Sequence, residues 1–161
     1  MTLPDGGAMT EWLRRAGMAV IAMLALGVAG TASGAEATSK GAVGPDKVVY
    51  HINDTKAQAT NALRYIRNHL EVNPKAKIVV VTHARGVEFL MEGAKNMTGN
   101  PYNIPVEEFH LLGVRFEVCE ITLREMNFKR TQFIPEATFV PSGVAEITRL
   151  QQREGYAYLR P

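Results

Sequence analysis

Cysteine occurs once in this sequence, at position 119, and it is the strongest nucleophile that the chain can offer. A thiolate attacks sulfur and carbon electrophiles, so one cysteine suits covalent carriage of a small group. With no second thiol, a disulfide within the chain and a dithiol oxidoreductase acting within one chain are both excluded. Three interpretations remain: a reactive thiol, a small buried hydrophobic residue, or a cysteine paired between subunits.

Four polar residues are candidate substrate-binding or positioning groups, because each stands where an apolar, strand-like run ends. They are Asn53, His83, Arg85 and Glu120. His83 would orient the thiol, take its proton, or bind an anion together with Arg85; alternatively, it caps a strand end through a backbone hydrogen bond. Glu120 opposes thiolate formation at Cys119, because a neighbouring negative charge disfavours the charged thiol. We interpret His51, which lies inside a strand-like run, as structural.

Two local features of Cys119 argue against simple burial. By strand alternation it shares a face with Arg115 and Glu117, whereas the apolar Phe116 and Val118 point to the other face. It also ends a strand and precedes a helix. Unpaired backbone N–H groups at that helix start would lower the pKa of the thiol. Cys119 is therefore the predicted catalytic residue.

Strand and helix patterns alternate along the chain from position 47. The predicted strands cover 47–52, 77–83, 114–119, 137–140 and 156–159, and the predicted helices cover 54–72, 87–94, 105–112, 120–126 and 143–154. This alternation predicts one three-layer α/β domain over 47–161, with a mostly parallel sheet of about five strands and helices on both faces. Ligands of such sheets bind beyond the carboxyl ends of the strands, where the candidate residues gather.

Several function classes lack their usual signals. The sequence contains no GxGxxG, no GxxxxGK[ST] and no GxSxG motif, so dinucleotide binding, a phosphate loop and a serine hydrolase are not supported. The net charge of +2 is too small to imply binding to nucleic acid. His83 and Cys119 would supply two metal ligands, but no third is indicated. We therefore predict neither a metal nor a cofactor.

The first 35 residues have the order of a secretory signal peptide. Arg14 and Arg15 precede the uncharged run 16–30, and small residues before Glu36 fit a cleavage site. The alternative is a retained membrane anchor, although the run is shorter than the roughly 20 apolar residues of a spanning helix. Residues 36–46 are predicted to form a flexible leader. We expect a periplasmic protein that has no membrane contact after cleavage.

Residues 47–161 resemble the DsrE/DsrF-like family of small α/β proteins, which are associated with intracellular sulfur oxidation and sulfur relay. Three stretches carry the resemblance in this order: Lys77–Asn96 (KIVVVTHARGVEFLMEGAKN), Gly113–Glu125 (GVRFEVCEITLRE) and Val140–Pro161 (VPSGVAEITRLQQREGYAYLRP). The resemblance implies a persulfide on the cysteine that ends the third strand, here Cys119. It also implies a homotrimer or homohexamer, or a ring with paralogues, and a sulfur donor or acceptor protein as partner.

The chain departs from the family pattern in two ways. Relay members are cytoplasmic, whereas an export signal is predicted for this chain, and Glu120 follows the cysteine where many relatives have a neutral residue. Two main functions follow: a sulfur carrier or sulfurtransferase that uses Cys119, and a non-catalytic small-ligand-binding or oligomeric assembly module in which Cys119 is structural. A redox role through a disulfide between subunits is the third.

Overall fold

The computed structural model describes residues 45–161 of the 161-residue chain. The predicted signal peptide (1–35) and all but the last two residues of the predicted leader (36–46) lie outside the described residues. Within 45–161, none of the helices has the length and apolar character needed to cross a bilayer.

Five strands form one sheet in the order β4–β3–β2–β1–β5. The strands are β1 (Lys47–Asp54), β2 (Lys77–Arg85), β3 (Arg115–Cys119), β4 (Ala137–Val140) and β5 (Ala157–Leu159). The α-helices of the described residues are α1 (Thr60–Val72), α2 (Asn103–Leu111), α3 (Glu120–Glu125) and α4 (Gly143–Glu154). Every neighbouring pair of strands is parallel, so the sheet is all-parallel.

Helices cover both faces of the sheet, which confirms the predicted three-layer architecture. The larger core lies on the side of α1 and α2 and includes Ile66 and Phe109. A smaller core lies on the other side, where Val81 of β2 packs with Ile147 and Leu150 of α4. Because strand residues alternate between faces, each central strand contributes to both cores.

The predicted starts and ends of several elements are confirmed where local chemistry sets them. The Ser142 hydroxyl accepts the Ala145 N–H and caps α4, and Gly155 ends that helix with a φ of 72°. β4 covers the predicted residues 137–140. Pro105 lies in the first turn of α2, where its missing N–H costs no helical hydrogen bond.

The predicted helix over Val87–Ala94 is wrong. Only a 3-10 turn forms, at Glu88–Leu90, and the chain then pairs with a distant segment: the Glu92 N–H donates to the Gln132 carbonyl at 2.8 Å. Gly93 has a φ of 72°, which does not continue a right-handed helix. The helix-like spacing of apolar residues here reflects burial of an irregular segment against the larger core.

Candidate functional site

Cys119 is the last residue of β3 and the N-cap of α3. It is only 4% exposed. The sequence argument from strand parity is therefore wrong about exposure: Cys119 does share a face with Glu117, but α4 covers that face, and both residues are buried. Strand alternation distinguishes the two faces of a sheet; it does not reveal whether a later element covers one of them.

Hydrogen-bond donors from the starts of two helices converge on the Cys119 sulfur. Burial raises the pKa of the thiol. Hydrogen bonds from the Gly143 N–H, from the N–H and hydroxyl of Thr122, and from the Ile121 N–H lower it, and their combined effect prevails. The pKa of Cys119 is thus held below its ordinary value. The positive ends of α3 and α4 meet at this sulfur, which favours the thiolate.

Gly143 allows the start of α4 to approach the sheet closely enough to reach the sulfur. A Cβ atom at this position would lie 3.2 Å from the Cys119 Cβ, 3.2 Å from the Thr82 carbonyl oxygen and 3.4 Å from the His83 Cβ. The two 3.2 Å separations are shorter than ordinary van der Waals contact, and the 3.4 Å separation is at its lower limit. The start of α4 therefore lies close to both Cys119 and His83, and a side chain at position 143 would require these neighbours or the helix to shift.

His83 belongs to the same part of the site as Cys119. The register of β2 and β3 pairs Thr82 with Val118, so the next residues along the two strands, His83 and Cys119, are neighbours. His83 also contacts His51: the two Nε2 atoms are 2.6 Å apart, and the rings meet edge to edge, with centroids 4.7 Å apart and planes inclined by 25°. The sequence interpretation of His51 as merely structural missed this contact.

Both histidines are held in the neutral form. Burial lowers the pKa of His83. Burial, the charge of His83 and the charge of Arg160 lower the pKa of His51 to about 4. A buried imidazole loses hydration when it is charged, and a neighbouring positive charge adds to this cost. At neutral pH the stabilisation of a Cys119 thiolate therefore comes from N–H and hydroxyl groups rather than from imidazolium.

Thr122 ties the end of β2 to the cysteine. Its hydroxyl oxygen accepts the Ala84 N–H at 2.9 Å, so its own proton is available to the Cys119 sulfur. Ala84 has a φ of 48°, an uncommon conformation for a residue with a Cβ. Beyond this turn the Arg85 guanidinium pairs with Glu88 at 3.3 Å. Arg85 is thus paired with a carboxylate three residues further along the chain.

Asn53, near the end of β1, and Glu120, directly after β3, are separated in the sheet by β2, and each interacts with a residue other than Cys119. The Asn53 side-chain oxygen accepts a hydrogen bond from the Arg160 guanidinium at 3.4 Å, which places it beside the C-terminal tail. The Glu120 carboxylate pairs with the Arg130 guanidinium. This ion pair balances the negative charge that was expected to oppose the Cys119 thiolate.

Glu117 is a further titratable group that the sequence interpretation did not select. It lies two residues before Cys119 on the face beneath α4, is 6% exposed, and its Oε2 has no partner within the described residues. Burial raises its pKa to about 7, while Arg115, whose Nε lies 3.7 Å from Oε1, acts to lower it. The sequence did contain a signal for this group, because helices were predicted on both faces of the sheet, and a glutamate inside a central strand must then be buried.

The described residues do not form a metal centre. Within positions 45–161, no group of three or more histidine, cysteine, aspartate or glutamate side chains is arranged to hold a metal ion. The His51 and His83 imidazoles converge, but Cys119 does not complete a three-ligand set with them. The arrangement is therefore one of a buried, activated thiol beside a hydrogen-bonded pair of neutral histidines.

These features define a class: small three-layer α/β proteins with a thiol at the carboxyl end of a parallel sheet. Residues 46–161 match the family model described as DsrE/DsrF-like, and the chain belongs to this family. It is similar to the solved structure of MTH1491, a protein of unknown function from Methanobacterium thermoautotrophicum, with 31% identity and a TM-score of 0.64. That match covers 72% of this chain and 99% of the other.

The ychN protein from E. coli has a similar fold. Its solved structure matches with a TM-score of 0.58 and 14% identity, over 71% of this chain and 99% of the other. At this identity the likeness concerns the fold alone. No curated protein sequence matches the chain.

Proposed function

We propose that this DsrE/DsrF-like protein handles sulfane sulfur, carrying it as a persulfide on Cys119 and passing it to an acceptor thiol. The observation that supports this most directly is the convergence of the Gly143, Thr122 and Ile121 N–H groups on one sulfur atom. These donors stabilise negative charge at the position where both a thiolate and a persulfide anion would carry it. Membership of a family with sulfur-relay proteins agrees with this chemistry.

The transfer balances without an oxidant or reductant. The Cys119 thiolate attacks the outer sulfur of a donor persulfide R–S–SH, a new S–S bond forms, and the donor's S–S bond breaks. R–S⁻ leaves with the electron pair and takes up a proton. In the second half, an acceptor thiolate attacks the outer sulfur of the Cys119 persulfide, and the Cys119 thiolate is released. The transferred sulfur keeps its oxidation state throughout.

The burial of Cys119 favours a second candidate function. At 4% exposure the thiol is open to small reagents at most, as would suit a packed structural residue. In this alternative the domain is a non-catalytic small-ligand-binding or oligomeric assembly module. It predicts that Cys119 resists alkylation until the protein unfolds, whereas a sulfur carrier must react in the native state.

Intact-mass spectrometry tests the proposal. The native chain is incubated with a small alkyl persulfide or with thiosulfate, desalted and weighed. We expect the mass of one added sulfur atom, removed again by a small acceptor thiol and abolished in Cys119→Ser. A folded Cys119→Ser variant, verified by its urea unfolding curve, is the matched control because serine differs from cysteine in one atom. If no donor adds sulfur and alkylation requires unfolding, the assembly or ligand-binding alternative replaces the proposal.

We also propose that the protein is exported to the periplasm, where it forms a homotrimer or homohexamer and exchanges sulfur with a donor or acceptor protein. The N-terminal sequence pattern supports export, and the family resemblance supports assembly. Subcellular fractionation with N-terminal sequencing tests export, with a mature start at Glu36 as the expected result. Light scattering of the purified chain tests assembly, and a monomer at all concentrations would contradict it.

A further inference from the structure

Three side chains form a continuous hydrogen-bonded chain across the carboxyl ends of three strands. The Tyr158 hydroxyl of β5 lies 2.6 Å from His51 Nδ1, and His51 Nε2 of β1 lies 2.6 Å from His83 Nε2 of β2. The next strand in the sheet, β3, carries Cys119 beside His83. The observed hydrogen bonds therefore lead from the β5 edge of the sheet to His83, on the strand next to that of Cys119.

Proton counting allows two arrangements of this chain. A neutral imidazole has one protonated nitrogen, so the contact between the two Nε2 atoms holds a single proton. In one arrangement the Tyr158 hydroxyl donates to His51 Nδ1, His51 Nε2 donates to His83 Nε2, and His83 Nδ1 carries a proton. In the other, each hydrogen bond is reversed, and His83 Nδ1 has a free lone pair. The two arrangements hold the same number of protons. The first has a proton on His83 Nδ1 at one end, and the second instead has the Tyr158 hydroxyl proton turned away from His51 at the other end.

We propose that Tyr158 and His51 are positioning residues of a proton relay, which brings a proton from solvent to His83 and from there to the sulfur that leaves during transfer to Cys119. The inference rests on the proposed function, since only a transfer reaction creates a leaving thiolate. It adds the source of the proton that this thiolate needs.

The relay step balances as follows. His83 Nδ1–H gives its proton to R–S⁻ as the donor's S–S bond breaks, while His83 Nε2 receives the proton of His51 Nε2. His51 Nδ1 receives the proton of the Tyr158 hydroxyl, and the tyrosinate takes a proton from water, which leaves hydroxide in the solvent. The products are R–SH and the Cys119 persulfide, and no charge remains on either imidazole.

Exposure and charge along the chain agree with this direction of transfer. Tyr158 is 44% exposed, so its hydroxyl reaches water, whereas Cys119 is almost completely buried. A buried leaving thiolate has little access to solvent protons, which makes an internal donor useful. The lowered pKa values of His51 and His83 keep both imidazoles neutral at pH 7, the state in which each can accept one proton and donate another. The nearby Arg160 charge contributes to this neutrality.

The kinetic test compares two reactions of the same thiolate. Transfer from an alkyl persulfide releases a basic thiolate that needs a proton, whereas alkylation by iodoacetamide releases iodide, which does not. We expect Tyr158→Phe and His51→Gln to slow persulfide transfer at least about ten-fold, with the alkylation rate unchanged. This is less than the roughly 10²–10⁴-fold contribution of a general acid, because His83 remains in place in both variants. An aryl persulfide, whose leaving thiolate is less basic, should show a smaller loss.

Matched controls use the same substitutions elsewhere in the chain. Tyr65→Phe and His110→Gln change a tyrosine of α1 and an exposed histidine of α2 that lie outside the chain of hydrogen bonds. Both controls should transfer sulfur at the wild-type rate. Equal transfer rates in wild type, Tyr158→Phe and His51→Gln would overturn the relay while leaving the sulfur-carrier proposal intact.

Nitrogen-15 NMR of the histidine side chains tests the relay without activity. We expect one strongly downfield proton coupled to Nε2 of His51 and of His83 in the wild type, and its loss in His51→Gln. Its absence from the wild type would overturn the relay even if sulfur transfer occurs. A wild-type protein that gains no sulfur from any donor overturns the proposed function and the relay together, so the two failures are distinguishable.

Discussion

Gly143→Ala tests whether the start of α4 stabilises the Cys119 thiolate. The added Cβ would meet the Cys119 Cβ and the Thr82 carbonyl oxygen at 3.2 Å and the His83 Cβ at 3.4 Å, so these neighbours or the helix must shift by a few tenths of an ångström. The carbonyl belongs to a central strand and cannot yield easily. The start of α4 is therefore expected to move outward, which lengthens the hydrogen bond from the residue 143 N–H to the sulfur.

The expected magnitude follows from this one hydrogen bond. Hydrogen bonds to charged groups contribute about 1.5–3 kcal/mol, so weakening this one by roughly 1.4 kcal/mol lowers the thiolate fraction about ten-fold at pH values below the thiol pKa. Overpacking costs about 1–3 kcal/mol, and alanine recovers up to about 1 kcal/mol of helix propensity. The net expectation is a loss of about 1 kcal/mol in the free energy of unfolding, with a higher Cys119 pKa.

The assay is the pH dependence of iodoacetamide alkylation on the native protein. Its midpoint reports the thiol pKa independently of changes in access, which affect the maximal rate instead. Val144→Ala is the matched control, because Val144 is the next residue of α4 and is 60% exposed. The midpoint should rise in Gly143→Ala and stay constant in Val144→Ala. An unchanged midpoint in Gly143→Ala, in a protein shown to be folded, would refute the role assigned to α4.

Two further predictions concern buried positions around the site. With the Glu117 pKa raised to about 7 from an ordinary 4.5, mainly by burial, ionisation favours the unfolded state. The free energy of unfolding of the wild type, measured with urea, should therefore fall by about 2–3 kcal/mol between pH 5 and pH 8.5, and that of Glu117→Gln should fall much less. An equal fall in both proteins would contradict this. In Gly86→Ala, a Cβ would lie 2.2 Å from the Ile52 carbonyl oxygen. We therefore expect thermal unfolding to show that the free energy of unfolding falls by about 3 kcal/mol or more. A fall of less than about 1 kcal/mol would contradict this and show that the backbone relaxes.

Elements whose ends depend on neighbouring residues could be predicted from the sequence. Ser142 and Gly155 mark the two ends of α4, because a hydroxyl cap and a left-handed glycine act within one turn of the helix. The helix expected over Val87–Ala94 failed for the opposite reason. Its backbone pairs with the segment around Gln132, and no local pattern records that a distant segment will compete for its hydrogen bonds.

In the candidate site, too, features set by adjacent residues could be predicted from the sequence, and features set by distant residues could not. The Ile121 and Thr122 N–H groups follow Cys119 directly in the chain, so a donor-rich helix start at the sulfur was predictable. The pairing of Glu120 with Arg130 and the contact between His51 and His83 were not, because each joins residues that no short-range pattern relates. The histidine contact needs the register of parallel strands, which the sequence leaves open.

The sequence by itself determined the alternation of strands and helices, the family and the placement of the lone thiol at the end of β3, since these depend on local patterns and order along the chain. Only the tertiary structure decided that α4 covers the thiol, that Gly143 adds a donor to it, and that Tyr158, His51 and His83 form one hydrogen-bonded chain beside it. The physical reason is that burial and electrostatics are set by whichever elements pack together. For Cys119 one of these elements begins 24 residues later in the chain, at Gly143.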